Sequence, residues 1–337
     1  MQFLQLLLLL PVTLTLATST TKPPKGAVVV NVNSNSDGVF RSVQDAVWSL
    51  PNDTSSQTIF IYPGTYKGQV ILRRPGPTVF QGYTKDVHSQ KDNTVLLTNG
   101  VVASVAGSNA KSATLQIYTN DTIVYNIDVE NTYGTGGVAG AQAQALALCQ
   151  AGERNGYYSS GFYSFQDTVY TQDGTAFFGN VFIKGAVDYI FGMRGTAYFQ
   201  NAILASTRSG YITAQGREDP SFPGAYVFDN ATLLTIENAT DHSMFLGRPW
   251  RNFSAVVFKN SDFGNVVDLR GWTQWGNTDP RTNGVYYAEF NNKGASAWNS
   301  ARANFSQLIT EEEAEENWSV GKTLGSNKWV DKRFLCN

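Results

Sequence analysis

A loose repeat runs through the middle of this 337-residue chain. Four short segments, each rich in aromatic and β-branched residues, end in Asn180, Asn201, Asn230 and Asn260, which are 21, 29 and 30 residues apart. A repeat of about 20 to 30 residues built from short strands and turns predicts a parallel β-solenoid with loops of variable length. An Asn at a fixed point of each repeat suits a turn, because Asn tolerates left-handed backbone. The alternative is a β-sandwich, which would show turns every ~8 to 12 residues without the longer period.

Helical periodicity is prominent in only two places. The stretch from Phe40 to Leu50 has apolar residues at helical spacing and stops before Pro51, and an acidic run from Glu311 to Glu316 follows much later. The predicted fold class is therefore all-β, a solenoid with a short N-terminal helix and C-terminal helical or loop extensions.

Charge and histidine content exclude several kinds of function. The chain has 25 Lys and Arg against 27 Asp and Glu, a formal net charge of −2, so it has no basic surplus for binding nucleic acid. Its two His leave little room for a His-rich metal site or a Ser-His-Asp triad. We expect any acid–base chemistry to use carboxylates.

The N-terminus predicts export. Met1 to Ala17 contains a Leu block and no charged residue, which is typical of a cleaved signal peptide, although a buried core helix is the alternative. We expect a flexible lead over residues 18–26, then a single β-helix domain over residues 27–337, in a secreted, extracellular protein. No later apolar run approaches membrane-spanning length.

Seven Asn-X-Ser/Thr sequons also favour export, and they begin at Asn52, Asn120, Asn230, Asn238, Asn252, Asn304 and Asn317. In an oxidising compartment Cys149 and Cys336 could pair. Cys149 extends an apolar run, however, and is better explained as a small buried residue.

Polar side chains recur at the interval of one coil. Gln144 and Gln166 are 22 residues apart, and Asp167 and Asp188 are 21 apart, so a solenoid would stack them about 4.8 Å from one another. Both carboxyls lie among aromatic and apolar residues, where one could stay ionised as a nucleophile and the other protonated as an acid. Gln166 and Asp167 have opposite strand parity, so both reach one site only if the backbone bends. The alternative for each Asp is a turn residue.

A third polar block contains Arg248 and Trp250. Arg248 could hold a carboxylate with two parallel hydrogen bonds, and Trp250 offers a flat face for a sugar ring. A surface Arg and a buried Trp are the alternatives, and Trp275 is ambiguous in the same way.

These residues lie in motifs that resemble the pectin methylesterases. The matching segments occur in the family's order from about Val28 to the C-terminus, and they are 144–148 (QALAL), 166–170 (QDTVY), 187–192 (VDYIFG), 213–217 (TAQGR) and 246–250 (LGRPW). No inhibitor-like pro-region is present, so the chain is similar to the short microbial or fungal form. One departure is Gly68, which stands where the family's Gly-X-Tyr-X-Glu block has Glu.

The resemblance implies a right-handed parallel β-helix and an esterase that uses neither metal nor cofactor. Asp188 would be the nucleophile, Asp167 the general acid and then base, and Gln144 and Gln166 the oxyanion hole, while Arg248 fixes Asp188. The implied substrate-binding residues are Thr114, Gln144, Tyr189, Arg248, Trp250 and Trp275. The implied substrate is pectin, as methyl-esterified homogalacturonan, and we expect a monomer that binds no nucleic acid and no membrane.

Two carboxyls alone leave other activities open. A β-helical pectin lyase would need an acidic calcium cluster and a basic proton abstractor. A retaining glycoside hydrolase would also use two carboxyls about 5 Å apart, and a non-catalytic wall-binding solenoid would need neither. The pair of amides favours the esterase, because an oxyanion hole serves ester chemistry and is idle in the others.

Overall fold

The computed structural model describes residues 19–134 and 143–336. The predicted signal peptide, Met1–Ala17, lies outside these residues and stays a prediction. The described chain is dominated by short strands, with helices near its two ends and beside the cleft described below.

The strands follow one another from Val28 to Leu308. They are β1 (Val28–Val30), β2 (Val39–Phe40), β3 (Gln57–Ile61), β4 (Gly64–Lys67), β5 (Val70–Leu72), β6 (Thr78–Gly82), β7 (Val95–Asn99), β8 (Leu115–Ile117), β9 (Thr122–Tyr125), β10 (Asp128–Asn131), β11 (Leu148–Tyr158), β12 (Gly161–Tyr163), β13 (Val169–Gly179), β14 (Phe182–Gly192), β15 (Thr196–Gln200), β16 (Ile203–Gln215), β17 (Tyr226–Asp229), β18 (Thr232–Thr235), β19 (Met244–Gly247), β20 (Ala255–Lys259), β21 (Tyr286–Phe290) and β22 (Ser306–Leu308). The helices are α1 (Val43–Ser49), α2 (Ala103–Ala106), α3 (Asn109–Ser112), α4 (Glu311–Trp318) and α5 (Val320–Thr323), and a 3-10 turn follows at Lys332–Phe334.

Parallel ladders join these strands into three faces of a right-handed parallel β-helix. The first, here called the cleft face, runs through β5, β8, β11, β13, β14, β16 and β19. The second, called the tail face, runs through β1, β3, β6, β9, β11, β13, β15, β17, β20, β21 and β22. The third runs through β4, β7, β10, β12, β14, β16 and β18. The solenoid prediction is confirmed, and the sandwich alternative is wrong.

The repeated Asn residues form the corner between the tail face and the third face. Asn180, Asn201, Asn230 and Asn260 all have left-handed φ angles of 53–56°. The Nδ2 of Asn201 donates to Oδ1 of Asn180 at 3.0 Å, and the Nδ2 of Asn230 donates to Oδ1 of Asn201 at 2.8 Å. We call this set the Asn ladder. The predicted role of Asn as a turn residue is confirmed.

Stacked aromatic rings fill the interior, one from each coil. Tyr157, Phe178, Phe199, Phe228 and Phe258 are fully buried, and neighbouring ring centroids lie 4.3–4.7 Å apart. This spacing follows from the distance between adjacent strands, so the coil period that stacks the backbone also stacks the rings.

The predicted helices are confirmed with shorter or shifted bounds. The hydroxyl of Ser42 accepts from the backbone N of Asp45 and starts α1, which ends at Ser49 because Leu50 precedes Pro51 and is extended. The acidic run forms α4, and the chain after it packs on the tail face through Leu324, Val330 and Phe334.

The described residues include part of the expected N-terminal lead and both Cys residues. Within the predicted lead over residues 18–26, Thr20 pairs with Thr84 through two backbone hydrogen bonds of 2.9 Å. Cys149 is buried, Cys336 is exposed and both are free, so they form no disulfide. Within residues 19–134 and 143–336, no helix is long and apolar enough to cross a membrane.

Candidate active site

A cleft of about 270 Å³ opens on the cleft face. Its lining residues are Asn109, Gln144, Gln166, Asp167, Asp188, Phe191, Ala214, Arg248, Trp250 and Trp275. The coil period therefore does bring together the two amides and two carboxyls that the sequence spacing placed in one stack.

Arg248 holds Asp188 through both carboxylate oxygens. Its Nε donates to Oδ1 at 2.9 Å and its Nη2 donates to Oδ2 at 2.7 Å. Charge-assisted bidentate pairs of this kind fix orientation as well as charge. Burial raises the pKa of Asp188, and the hydrogen bonds and charge of Arg248 partly reverse that rise.

Two aromatic rings hold the guanidinium of Arg248. Its Cζ lies 3.9 Å from the ring centroid of Tyr211 and 4.3 Å from that of Trp275. Arg stacks well on such faces while its planar fork stays free for hydrogen bonds. Trp275 thus acts on Arg248 as well as lining the cleft.

Asp167 lies in a different electrostatic environment. It is 6% exposed, and its Oδ2 accepts a 3.1 Å hydrogen bond from Nδ2 of Asn109. Burial raises its pKa well above the ordinary value, and the charge of Asp188 raises it further against a lowering by Arg248. Asp167 therefore keeps its proton to higher pH than Asp188, which separates the two carboxyls into an acid and an anion.

Left-handed backbone at both Asp residues solves the problem of strand parity. The φ angle is +63° at Asp167 and +49° at Asp188, a region that Asp enters more readily than most residues. The backbone N of Asp167 donates to O of Val187 at 3.1 Å, which fixes the two coils in register. Gln166 and Asp167 can both line the cleft because the alternation of a regular strand is broken there.

The amides of Gln144 and Gln166 lie on adjacent coils, just ahead of β11 and β13. The backbone O of Gln144 accepts from N of Ala103 at 2.8 Å, and the backbone O of Gln166 accepts from N of Ala145 at 3.2 Å. These bonds anchor the main chain beneath each side chain. Two neutral N–H donors beside an ionised carboxylate can stabilise a developing oxyanion.

Trp250 forms one wall of the cleft. Its backbone N donates to O of Gln215 at 3.0 Å. A Cβ on Gly216 would lie 2.8 Å from a ring carbon of Trp250, so only Gly lets the indole sit at this depth. The predicted position of Trp250 at the cleft is therefore observed, and its contact with a sugar stays a prediction.

Two residues expected to contact substrate, Thr114 and Tyr189, do not line the cleft. Thr114 is fully buried, and its hydroxyl donates to O of Glu130 at 2.8 Å. Tyr189 is also fully buried in the interior, with its hydroxyl 3.2 Å from Oγ of Ser206. It follows the left-handed Asp188, so its ring turns inward.

Sequence reasoning missed Asn109 and Tyr211. Neither lies at the coil spacing that identified the other residues, because Asn109 belongs to α3 and Tyr211 follows a register shift in β16.

Gly68, the departure from the family pattern, is exposed with φ +116°, a conformation that disfavours any side chain. Among the described residues, no group of three or more His, Cys, Asp or Glu could hold a metal ion.

Known proteins share both this sequence and this architecture. A sequence model of the family described as Pectinesterase matches residues 28–327. A pectinesterase from Aspergillus aculeatus is 35% identical over 330 residues, which cover 95% of this chain and 96% of that protein. The crystal structure of a pectin methylesterase from Aspergillus niger is 34% identical with a TM-score of 0.83, and the match covers 94% of this chain and 100% of that one. A pectin methylesterase from carrot is 25% identical with a TM-score of 0.81, and the match covers 95% of this chain and 98% of that one. These matches confirm the resemblance drawn from the motifs and the right-handed β-helix.

Proposed function

The chain belongs to the pectinesterase family, and from this we propose that its cleft hydrolyses the C6 methyl esters of homogalacturonan to pectate and methanol. It is a carboxylic ester hydrolase that acts on pectin. The proposed mechanism rests on the bidentate hydrogen bonds from Arg248 to Asp188, next to Asp167, whose pKa is raised.

In the first step, an oxygen of Asp188 attacks the carbonyl carbon of the ester. The amides of Gln144 and Gln166 hold the oxyanion that forms, and loss of one such donor costs about 10²- to 10³-fold in kcat in comparable sites. The bond from carbon to the methoxy oxygen then breaks, and Asp167 gives its proton to the departing methanol. The product of this step is an anhydride between Asp188 and the galacturonate.

In the second step, Asp167 is a carboxylate and takes a proton from water. The resulting hydroxide attacks the anhydride, Asp188 leaves as a carboxylate, and Asp167 holds the proton again. Arg248 supports the ionised form of Asp188 at the start and end of the cycle. Trp250, at the cleft wall, offers its face to the sugar ring.

Nothing in the site favours the lyase or glycoside hydrolase alternatives. The decisive test incubates the purified protein with highly methyl-esterified homogalacturonan and follows methanol, chain length and unsaturated ends. We expect methanol at unchanged chain length, with no unsaturated ends and no effect of a chelator. The matched variant Asp188→Asn should release none, since it keeps the shape but has no nucleophilic oxygen anion. Shortened chains would contradict the proposal in favour of the hydrolase, and calcium-dependent unsaturated ends in favour of the lyase.

We also propose that the protein is secreted and that it is a monomer. Residues 27–337 would form its single catalytic domain. All seven sequon Asn residues are exposed, which supports passage through a glycosylating compartment. The test is N-terminal sequencing and light scattering of protein recovered from the medium of its own host. Recovery of uncleaved protein from the cells alone would contradict secretion, and a dimer mass would contradict the monomer.

A further inference from the structure

We propose that Asn109 is a positioning residue that decides which oxygen of Asp167 carries the catalytic proton. This inference rests on the proposed function, in which Asp167 is the general acid. The Nδ2 of Asn109 donates to Oδ2 of Asp167 at 3.1 Å, and Asn109 itself lines the cleft.

The chemistry of a protonated carboxyl gives this contact its meaning. Such a group has one hydroxyl oxygen, which donates, and one carbonyl oxygen, which accepts. The carbonyl oxygen is the better acceptor for an amide N–H, so a donor at Oδ2 favours the tautomer with the proton on Oδ1. Without that donor the proton would be shared between the two oxygens, and part of the enzyme would have its acid turned away from the methoxy group.

The fold holds Asn109 firmly against the catalytic coil. The backbone O of Asn109 accepts a 2.7 Å hydrogen bond from the hydroxyl of Ser112, which is fully buried. That hydroxyl in turn accepts from the backbone N of Leu146 at 3.3 Å, two residues after Gln144. Helix α3 is thereby tied to the coil that supplies one of the two amides, so its placement is tied to the site.

The same contact affects the charge of Asp167 after proton transfer. The titratable groups that face Asp167 are Asp188 of β14, Arg248 after β19 and Tyr170 of β13. Asp188 opposes the ionised form of Asp167, and an N–H donor from Asn109 supports it. Loss of the donor should therefore raise the pKa of Asp167 and move the alkaline limb of the rate profile to higher pH.

The test compares Asn109→Ala and the isosteric Asn109→Asp with Lys111→Ala, an exposed control on the same helix. We expect Asn109→Ala to lower kcat for methanol release by about 2- to 10-fold, a small part of the 10²- to 10⁴-fold that general acid catalysis supplies, with KM nearly unchanged. Its alkaline limb should lie at higher pH than that of the wild type. The kcat of Asn109→Asp should be lowest at pH values where its new carboxyl is ionised. It should rise as the pH falls, because the protonated carboxyl can again donate a hydrogen bond to Asp167. Lys111→Ala should match the wild type.

Three results would overturn the inference: an unchanged kcat in Asn109→Ala, a lower kcat with an unmoved alkaline limb, or a higher KM at constant kcat. If Asn109→Ala fails to fold, the pH-dependent recovery of Asn109→Asp decides instead, and its absence would count against the role. Failure of the proposed function is distinguishable, since it would show as methanol release that survives in Asp188→Asn.

Discussion

At the scale of single residues, we expect the pair of Arg248 and Asp188 to set the acid limb of the pH profile for methanol release. We expect Arg248→Lys to lower kcat/KM severely, because an ammonium cannot make the two parallel bonds. It should also move the acid limb to higher pH, since Arg248 lowers the pKa of Asp188 and its loss lets burial raise that pKa further. The matched control is Arg270→Lys, because Arg270 makes a similar bidentate pair with Asp268 at the surface. An unmoved acid limb in Arg248→Lys would contradict the role of Arg248.

We expect the buried carboxyl of Asp167 to lower the free energy of unfolding at neutral pH. The unfolded chain loses the Asp167 proton near the ordinary pKa, while the folded protein keeps it to a much higher pH. Between these values the unfolded state binds fewer protons, so the free energy of unfolding falls as the pH rises. We therefore expect Asp167→Asn to abolish activity yet raise Tm at pH 7, with a smaller gain near pH 4. Thermal melts at both pH values check this, with the exposed Asp37→Asn as control, and a gain independent of pH would contradict it.

Among the proposed catalytic residues, the coil period identifies four, and Arg248 is identified by its sequence motif instead. Gln144, Gln166, Asp167 and Asp188 repeat with the backbone, so their spacing predicts one cluster, and left-handed backbone at the two Asp residues lets all four line the cleft. Asn109 could not be identified in this way, because its position depends on a short helix that packs from outside the coil. A motif match identifies Thr114 and Tyr189 but does not show which way their side chains face, and both are buried outside the cleft.

At the scale of the elements, the Asn ladder lets successive coils turn at one corner. We expect Asn201→Ala to destabilise the protein by about 1–3 kcal/mol, because it loses the side-chain hydrogen bonds of Asn201 and places Ala in left-handed backbone. Asn201→Gly should cost less, since Gly accepts that φ and loses only the bonds. Denaturant unfolding of both variants measures the difference. Both should keep the wild-type kcat/KM, because the ladder lies between the tail face and the third face; equal costs for Ala and Gly would contradict the backbone argument.

The Asn repeat in the sequence predicts that successive strands stack as coils. It does not predict the irregular strands beside the cleft. The pairing of β14 with β16 shifts register between Gly185 and Val187 and again between Val187 and Ile190. These shifts accompany the left-handed Asp188 and bring Tyr211 against Arg248. A bulge of this kind depends on contacts between coils far apart in sequence, so local pattern cannot reveal it.

At the scale of the whole molecule, the C-terminal segment covers the tail face and should contribute stability without touching catalysis. The ring of Phe334 is 2% exposed and lies 4.7 Å from that of Tyr158, while the backbone N of Asp331 donates to the hydroxyl of Tyr158 at 2.9 Å. Truncation of a buried Phe to Ala costs about 3–5 kcal/mol, so we expect Phe334→Ala to lower Tm by several degrees. At 25 °C its kcat/KM for methanol release should equal that of the wild type, because the cleft opens on a different face of the β-helix. Phe222→Ala is the control, since Phe222 is 41% exposed and should leave Tm unchanged. A loss of kcat/KM at 25 °C with an unchanged Tm would mean that the tail face and the cleft are coupled.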